Sequence, residues 1–431
     1  MSSKIAILSG LLTIVPLAGF AKPLVTSSED NLARVCLARV EAPDRLVRAC
    51  DAALMDARLT QSQRAELIVA RADGYLWQSH YDKAVEDYRT ATNINALSVD
   101  AWNGLGWALW ELNDDQGALE AFEQSLVIEA SVQGLGGKAA LARRLGIIDN
   151  IEARALLGAA LAIDPDYIWA VRELAWSHFE DGQFAEALAQ FEEALDIEPR
   201  DVNARYGMGR SLVSQGNPEE ALAWFNDILL DAPDDFGAMV YRIIALRDLD
   251  RNAQALRFSD RLIEAYPERA TGYIQKAKSL MGLERRQDAI DTYVAAEELV
   301  GPDNALLYWH ADTLTEDGQF EAALAVIERA VGLDGADHSD HLLKSYIALA
   351  LKDYSLARSA AEASLAMGSQ DPWAHYYIAI TLIHEGDTEN GMRRFDLAIQ
   401  SGLPADRIGA FASELVDAGR YFEAAQLRLK Y

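Results

Sequence analysis

Between residues 168 and 199 the apolar positions recur at helical rather than strand spacing, in two runs covering 169–180 and 184–197. Asp181, Gly182 and Gln183 separate the runs, and Pro199 closes the second. Ala175 and Ala187 stand where two antiparallel helices would cross, flanked by Leu174, Leu188, Phe191 and Leu195. Helix axes approach to ~8–10 Å only where the contact residues are small. The pattern predicts a helical hairpin with apolar surface left over, which needs neighbours of its own kind to cover it.

The small crossing residue recurs along the chain as Ala84, Ala118, Ala153, Ala187, Ala221, Ala255, Ala289, Ala323, Ala357, Gly391 and Ala424. The interval is 34 residues throughout, except for 35 before Ala153 and 33 before Ala424. Pro165, Pro199, Pro233 and Pro267 keep the same stride, each ending a helix because it lacks an N–H. Gly182, Gly216, Gly318 and Gly386 mark the turns inside hairpins. Small partners on the first helices are Ala72, Gly106, Ala175, Gly209, Ala277, Ala311, Ala379 and Ala412. One hairpin departs: it puts Leu141 at the small position and opens with Gly134, Gly136 and Gly137. Each interior Gly costs a helix ~1 kcal/mol relative to Ala, so a bend or soft joint and an ordinary insertion both stay open there.

Trp102, Leu105, Gly106, Leu109, Ala118 and Phe122 form a pattern that resembles the tetratricopeptide repeat, as do Leu174, Ala175, Ala187, Phe191, Ala194 and Pro199, and Met208, Gly209, Leu212, Ala221, Phe225 and Pro233. The resemblance covers residues 65–431, about eleven units. It implies an all-α fold, a right-handed α-solenoid or superhelix, in which the first helix of each hairpin lines the concave side. Carried over to this chain, those positions select Trp77, Trp107, Trp110, Trp169, Trp176 and Phe179, followed by Tyr206, Tyr308, Tyr346, Trp373 and Tyr376. Aromatic side chains dominate interface energetics; packing of some of them between repeats is the competing reading. Lys138, Arg172, Arg210, Arg247 and Lys278 fall on the same face in five successive units, a track for an acidic peptide or a terminal carboxylate unless each is neutralised at home. Some members clamp chaperone tails with inner-face Asn at fixed places. Asp73 and Trp107 stand at those places here, so that specificity does not carry over.

The N-terminus reads as an export signal over residues 1–21. Lys4 supplies the positive charge, an apolar run follows, and Gly19, Phe20 and Ala21 offer a cleavage site. The expected location is the periplasm. Residues 22–64 are expected to form a separate helical hairpin ahead of the solenoid at 65–431. Cys36 and Cys50, the only two cysteines, lie equidistant from Pro43, so antiparallel helices turning there would set them at one height. An oxidising compartment favours a disulfide between them, against two buried thiols.

Lys and Arg number 39 against 67 Asp and Glu, a net charge of -28. That balance argues against a nucleic-acid binder, which needs a basic face. The seven His are scattered, with His338 and His341 read as a surface pair rather than metal ligands. No phosphate-binding loop, zinc-protease motif or nucleophile elbow is present. The expectation is a non-enzymatic scaffold without cofactor or metal, binding a protein or peptide along the concave groove, with no membrane-spanning segment in the mature chain. The alternative is a structural component of an envelope assembly, such as a polysaccharide-export or outer-membrane complex, that makes contact through its convex face or its ends. The polar residues Arg420, Glu423, Arg428 and Lys430 suggest a cap on the last unit.

Overall fold

The computed structural model describes residues 28–368 and 370–430. The expected export signal and residues 22–27 lie outside them. The described residues form 24 α-helices and no strand, in two compact units divided between Asn217 and Pro218.

The first unit begins with α1 (Ser28–Ala38) and α2 (Pro43–Leu54). It continues with the pairs α3 (Gln61–Trp77) and α4 (Tyr81–Ile94), α5 (Val99–Glu111) and α6 (Asp115–Ile128), α7 (Val132–Arg144) and α8 (Asn150–Ile163), and α9 (Ile168–Glu180) and α10 (Phe184–Ile197), then α11 (Val202–Ser214). The second unit begins with α12 (Pro218–Asp231). Its pairs are α13 (Phe236–Asp248) and α14 (Asn252–Ala265), α15 (Ala270–Met281) and α16 (Arg286–Val300), α17 (Asn304–Glu316) and α18 (Phe320–Val331), α19 (His338–Ala350) and α20 (Tyr354–Ala366), α21 (Pro372–His384) and α22 (Thr388–Gln400), and α23 (Arg407–Asp417) and α24 (Tyr421–Lys430). In both units helices pack in chain order. The first helix of each hairpin also touches the first helix of the next, whereas the backbones of successive second helices stay apart and are bridged only by long side chains such as Arg329 with Glu297 and Lys430 with Asp396. First helices therefore share a face, and second helices stand apart with notches between them.

The crossing residues explain this packing. From Ala84 to Ala357 every one of them is fully buried, as are their partners Ala72, Ala175, Ala277, Ala311, Ala379 and Ala412. One turn beyond the crossing residue a ring fills the space against the next first helix: Tyr88, Phe122 and Phe191 are wholly buried, and a Cβ at Gly104, Gly137 or Gly207 would stand 2.3, 2.4 or 2.2 Å from them. The turn inside each hairpin needs a left-handed residue. Gly182, Gly216, Gly318 and Gly386 supply it, and Ser79, Asn113, Asp250, Glu284 and Lys352 adopt the same positive φ at that register elsewhere. Asp201, Asp235, Asp303, Asp337 and Asp371 cap first helices by accepting backbone N–H bonds, which accounts for part of the acidic surplus.

The departing hairpin α7–α8 is tightly packed. Its inner turn, 145–149, has five residues instead of three, and the connector before it, 129–131, has three instead of four, which yields the single extra residue in the stride. Gly134, Gly136 and Gly137 are close-approach sites against Ser125, Trp169 and Phe122. Leu141 is fully buried in the same core as Phe122.

A disulfide joins Cys36 to Cys50, whose Cα atoms are 4.9 Å apart. Around it Leu46, Ala49 and Ala53 pack onto Leu67 and Ala70 of α3. At the other end α24 exposes Tyr421, Phe422 and Leu429. That helix is polar only in part, contrary to the cap read from its charged residues.

Candidate functional site

In the first unit the touching first helices gather the selected residues into two groups. Trp107 and Trp110, one turn apart on α5, stack at 5.3 Å, and both meet Trp169 of α9 edge-on at 5.2 and 6.2 Å. Trp169 is 6% exposed because Gly136 on α7 leaves a hollow for it. This trio is largely packing between hairpins; Trp107 and Trp110 stay half-buried, with the Arg144 guanidinium 4.9 Å from the Trp110 ring.

The second group is more open. Trp176 and Phe179 of α9 lie edge to face at 5.5 Å, and Tyr206 of α11 stands 6.3 Å from Trp176. The Arg210 guanidinium sits 5.1, 4.6 and 5.7 Å from the Trp176, Phe179 and Tyr206 rings. All four side chains are half-buried. Each such contact contributes ~0.5–2 kcal/mol depending on its desolvation, so the cation is held among the rings before any ligand arrives.

Arg172 does not join the cation track. It is 7% exposed, and its Nη1 lies 2.5 Å from Asp201, whose other carboxylate oxygen accepts the Ala204 N–H at the start of α11. The adjacent Glu173 faces Arg143 instead, at 3.4 Å. Lys138 turns to the preceding second helix and meets Glu123 at 3.0 Å. Trp77 packs against the disulfide-bearing hairpin.

In the second unit Arg247 donates to Gln275 at 2.8 Å, and burial holds its pKa below the usual guanidinium value. Lys278 places its Nζ 2.9 Å from the centre of the Trp309 ring. Burial first, then the Arg247 charge, brings its pKa down to about 8. Asp312 is pushed up by burial and by Glu316. Tyr308 meets Trp309 edge-on at 5.1 Å. Farther along, Tyr346 is 44% exposed and lies 6.1 Å from Tyr377, which is 6.1 Å from Trp373. Arg407 stands 5.0 Å from Trp373. Tyr376 instead faces inward, 6.2 Å from both Phe395 and Phe411, and burial pushes its hydroxyl up to about 12.

Trp309 and Tyr377 were missed from the sequence. Each is the second member of a doublet, Tyr308-Trp309 and Tyr376-Tyr377. Neighbours on a helix point about 100° apart, and a single helix does not say which of two directions its neighbours leave open. Among the described residues no group of three or more His, Cys, Asp or Glu is placed to hold a metal ion, and no helix is long and apolar enough to cross a membrane.

Stacked hairpins whose first helices pack together while the backbones of their second helices splay apart define an α-helical repeat protein. The tetratricopeptide repeat pattern matches residues 69–132, 178–241 and 274–338. A TPR repeat-containing protein of Methanocaldococcus jannaschii is 21% identical over 344 residues, 78% of this chain and 56% of that protein, so the chain spans about half the length of this curated relative. Among solved structures, yeast Tom70 aligns over 94% of this chain and 97% of its own at 15% identity, with a TM-score of 0.53. A tetratricopeptide repeat protein from Parabacteroides merdae aligns over 59% of this chain and all of its own at 18% identity, with a TM-score of 0.46. The chain is a tetratricopeptide repeat protein.

Proposed function

We propose that the chain is a non-enzymatic scaffold of the cell envelope that binds a protein or peptide segment on the face lined by its first helices. Tetratricopeptide repeat proteins are typically protein-binding scaffolds. The observation that carries the reading here is the half-buried set of Trp176, Phe179 and Tyr206 around Arg210. Rings already in contact lose little freedom on binding, and a guanidinium among them recognises a carboxylate or a further ring. The N-terminal export pattern and the Cys36–Cys50 disulfide support an oxidising, periplasmic location.

Affinity capture from envelope extract tests the reading. Combining Trp176→Ala with Arg210→Glu is expected to abolish recovery of the partner while the helical circular dichroism of the chain stays unchanged. Recovery equal to the parent's would remove the first-helix face from consideration. A second reading, a structural component that makes contact through its end, draws on the exposed Tyr421, Phe422 and Leu429 of α24. Under it the double variant keeps its partner, and crosslinks gather on residues 407–430.

A further inference from the structure

Because the backbones of successive second helices stand apart, each neighbouring pair leaves a notch floored by the first helix between them. One register of the first helix faces that notch. Arg242, Lys276 and Lys344 share it, at spacings of 34 and 68 residues, and the facing positions on the preceding second helices, Asn226, Asp260 and Glu328, keep the same spacings. Lys276 meets Asp260 at 2.9 Å and Lys344 meets Glu328 at 3.1 Å. Lys138 and Glu123, 3.0 Å apart, occupy the equivalent places once the longer turn at 145–149 is allowed for.

Arg242 breaks the pattern, because its facing residue is the neutral Asn226. Its guanidinium lies 3.7 Å from the centre of the Phe258 ring, with the Arg261 guanidinium 5.5 Å from the same ring. Among the described residues no carboxylate forms an ion pair with either, and the buried Arg242 Nε has no hydrogen-bond partner. Burial and the Arg261 charge both depress the Arg242 pKa. Between α12 and α14 these groups line a pocket of about 290 Å³ together with Leu229, Leu230 and Met239. Leu230 is 81% exposed. The register-equivalent notch between α20 and α22 also carries arginines, but there Arg358 is paired with Glu362 and Glu385. In a chain of net charge -28, Arg242 and Arg261 stand on one ring with no carboxylate among the described residues ion-paired to either.

We propose that the notch between α12 and α14 binds a carboxylate carried on an apolar body about one residue in size. Arg242 and Arg261 hold the oxyanion, and Leu229, Leu230, Met239 and Phe258 cover the apolar part. The anion is a carboxylate because that is the group the same register seats beside Lys276 and Lys344. A bare, hydrated anion would leave the leucines in water. The site stands apart from the first-helix face and does not depend on the function proposed above.

Calorimetric titration of the full chain with acetyl-Ala-Ala-Phe, its C-terminal amide and 3-phenylpropanoate tests the site. Both carboxylates are expected to bind, with the amide at least roughly tenfold weaker, as is usual when a charged hydrogen-bonding partner is lost. Arg242→Gln and Arg261→Gln should each lose roughly tenfold in affinity. Asn226→Asp supplies the notch with its own carboxylate, so it should abolish binding and raise the urea midpoint, whereas Asn226→Ala should leave binding in place. Tighter binding of the tripeptide than of 3-phenylpropanoate identifies a chain terminus as the ligand; equal binding identifies a free acid. Equal affinity for amide and acid, no heat up to about 10 mM ligand, or parent-like binding by Asn226→Asp overturns the proposal.

Discussion

Gly207 has no room for a side chain: a Cβ there would stand 2.2 Å from the Phe191 ring, which is itself fully buried. Gly158, in the middle of α8, has nothing within 4 Å of the same atom. The two glycines look alike in the sequence and should respond oppositely. Gly207→Ala is expected to force a ring out of place and cost ~1–3 kcal/mol. Gly158→Ala should stabilise by roughly 0.5–1 kcal/mol, since it only restricts the unfolded chain and improves helix propensity. Urea midpoints of the two variants check both signs. The cluster Gly134, Gly136 and Gly137 carries the same lesson. In one dimension it reads as a weak helix; in the fold it admits Trp169 and Phe122.

At the scale of the element, hairpin boundaries were legible because helix stops and left-handed turns have local causes. The direction in which a helical side chain ends up was not. Trp169 and Trp176 are seven residues apart on α9, close to two full turns, and so point almost the same way. One is 6% exposed and the other half-buried, because Gly136 on the neighbouring helix leaves a hollow at the first and nothing comparable covers the second. Arg172 was misplaced for the same reason: the carboxylate that claims it, Asp201, lies 29 residues away at the start of the next first helix. The N-terminal hairpin allows a further test at this scale. Reducing the Cys36–Cys50 bond, whose residues are 14 apart, should cost ~3 kcal/mol for a loop of that size. Each repeat leans mainly on its neighbours, so the loss should appear in amide exchange of α1, α2 and the adjoining turn of α3, with α13 to α24 unchanged. Exchange that is uniform along the chain, or unaltered by reductant, would contradict this.

At the scale of the whole molecule, stability is a sum over many small cores, spread over two compact units. A net charge of -28 opposes that sum, because surface carboxylates repel one another. Ion pairs such as Arg71 with Asp51 and Asp87 offset only part of it. Raising ionic strength from about 0.01 to 0.15 M shortens the screening length from ~30 to ~8 Å, and the melting temperature should rise by a few degrees. A fall, measured by calorimetry, would mean that screened ion pairs outweigh screened repulsion.

The amino-acid sequence by itself determined the helices, the stride at which they repeat and the family they belong to. Each follows from interactions within a few turns of chain: small residues at crossings, a left-handed turn residue, a proline stop. The tertiary structure alone decided which aromatic rings stay open, which cations are already paired and where a cation is left without a carboxylate. Those outcomes depend on residues about half a repeat to one repeat away, such as Asn226 opposite Arg242 and Gly136 for Trp169, and no local pattern records what the neighbouring helix puts in the way.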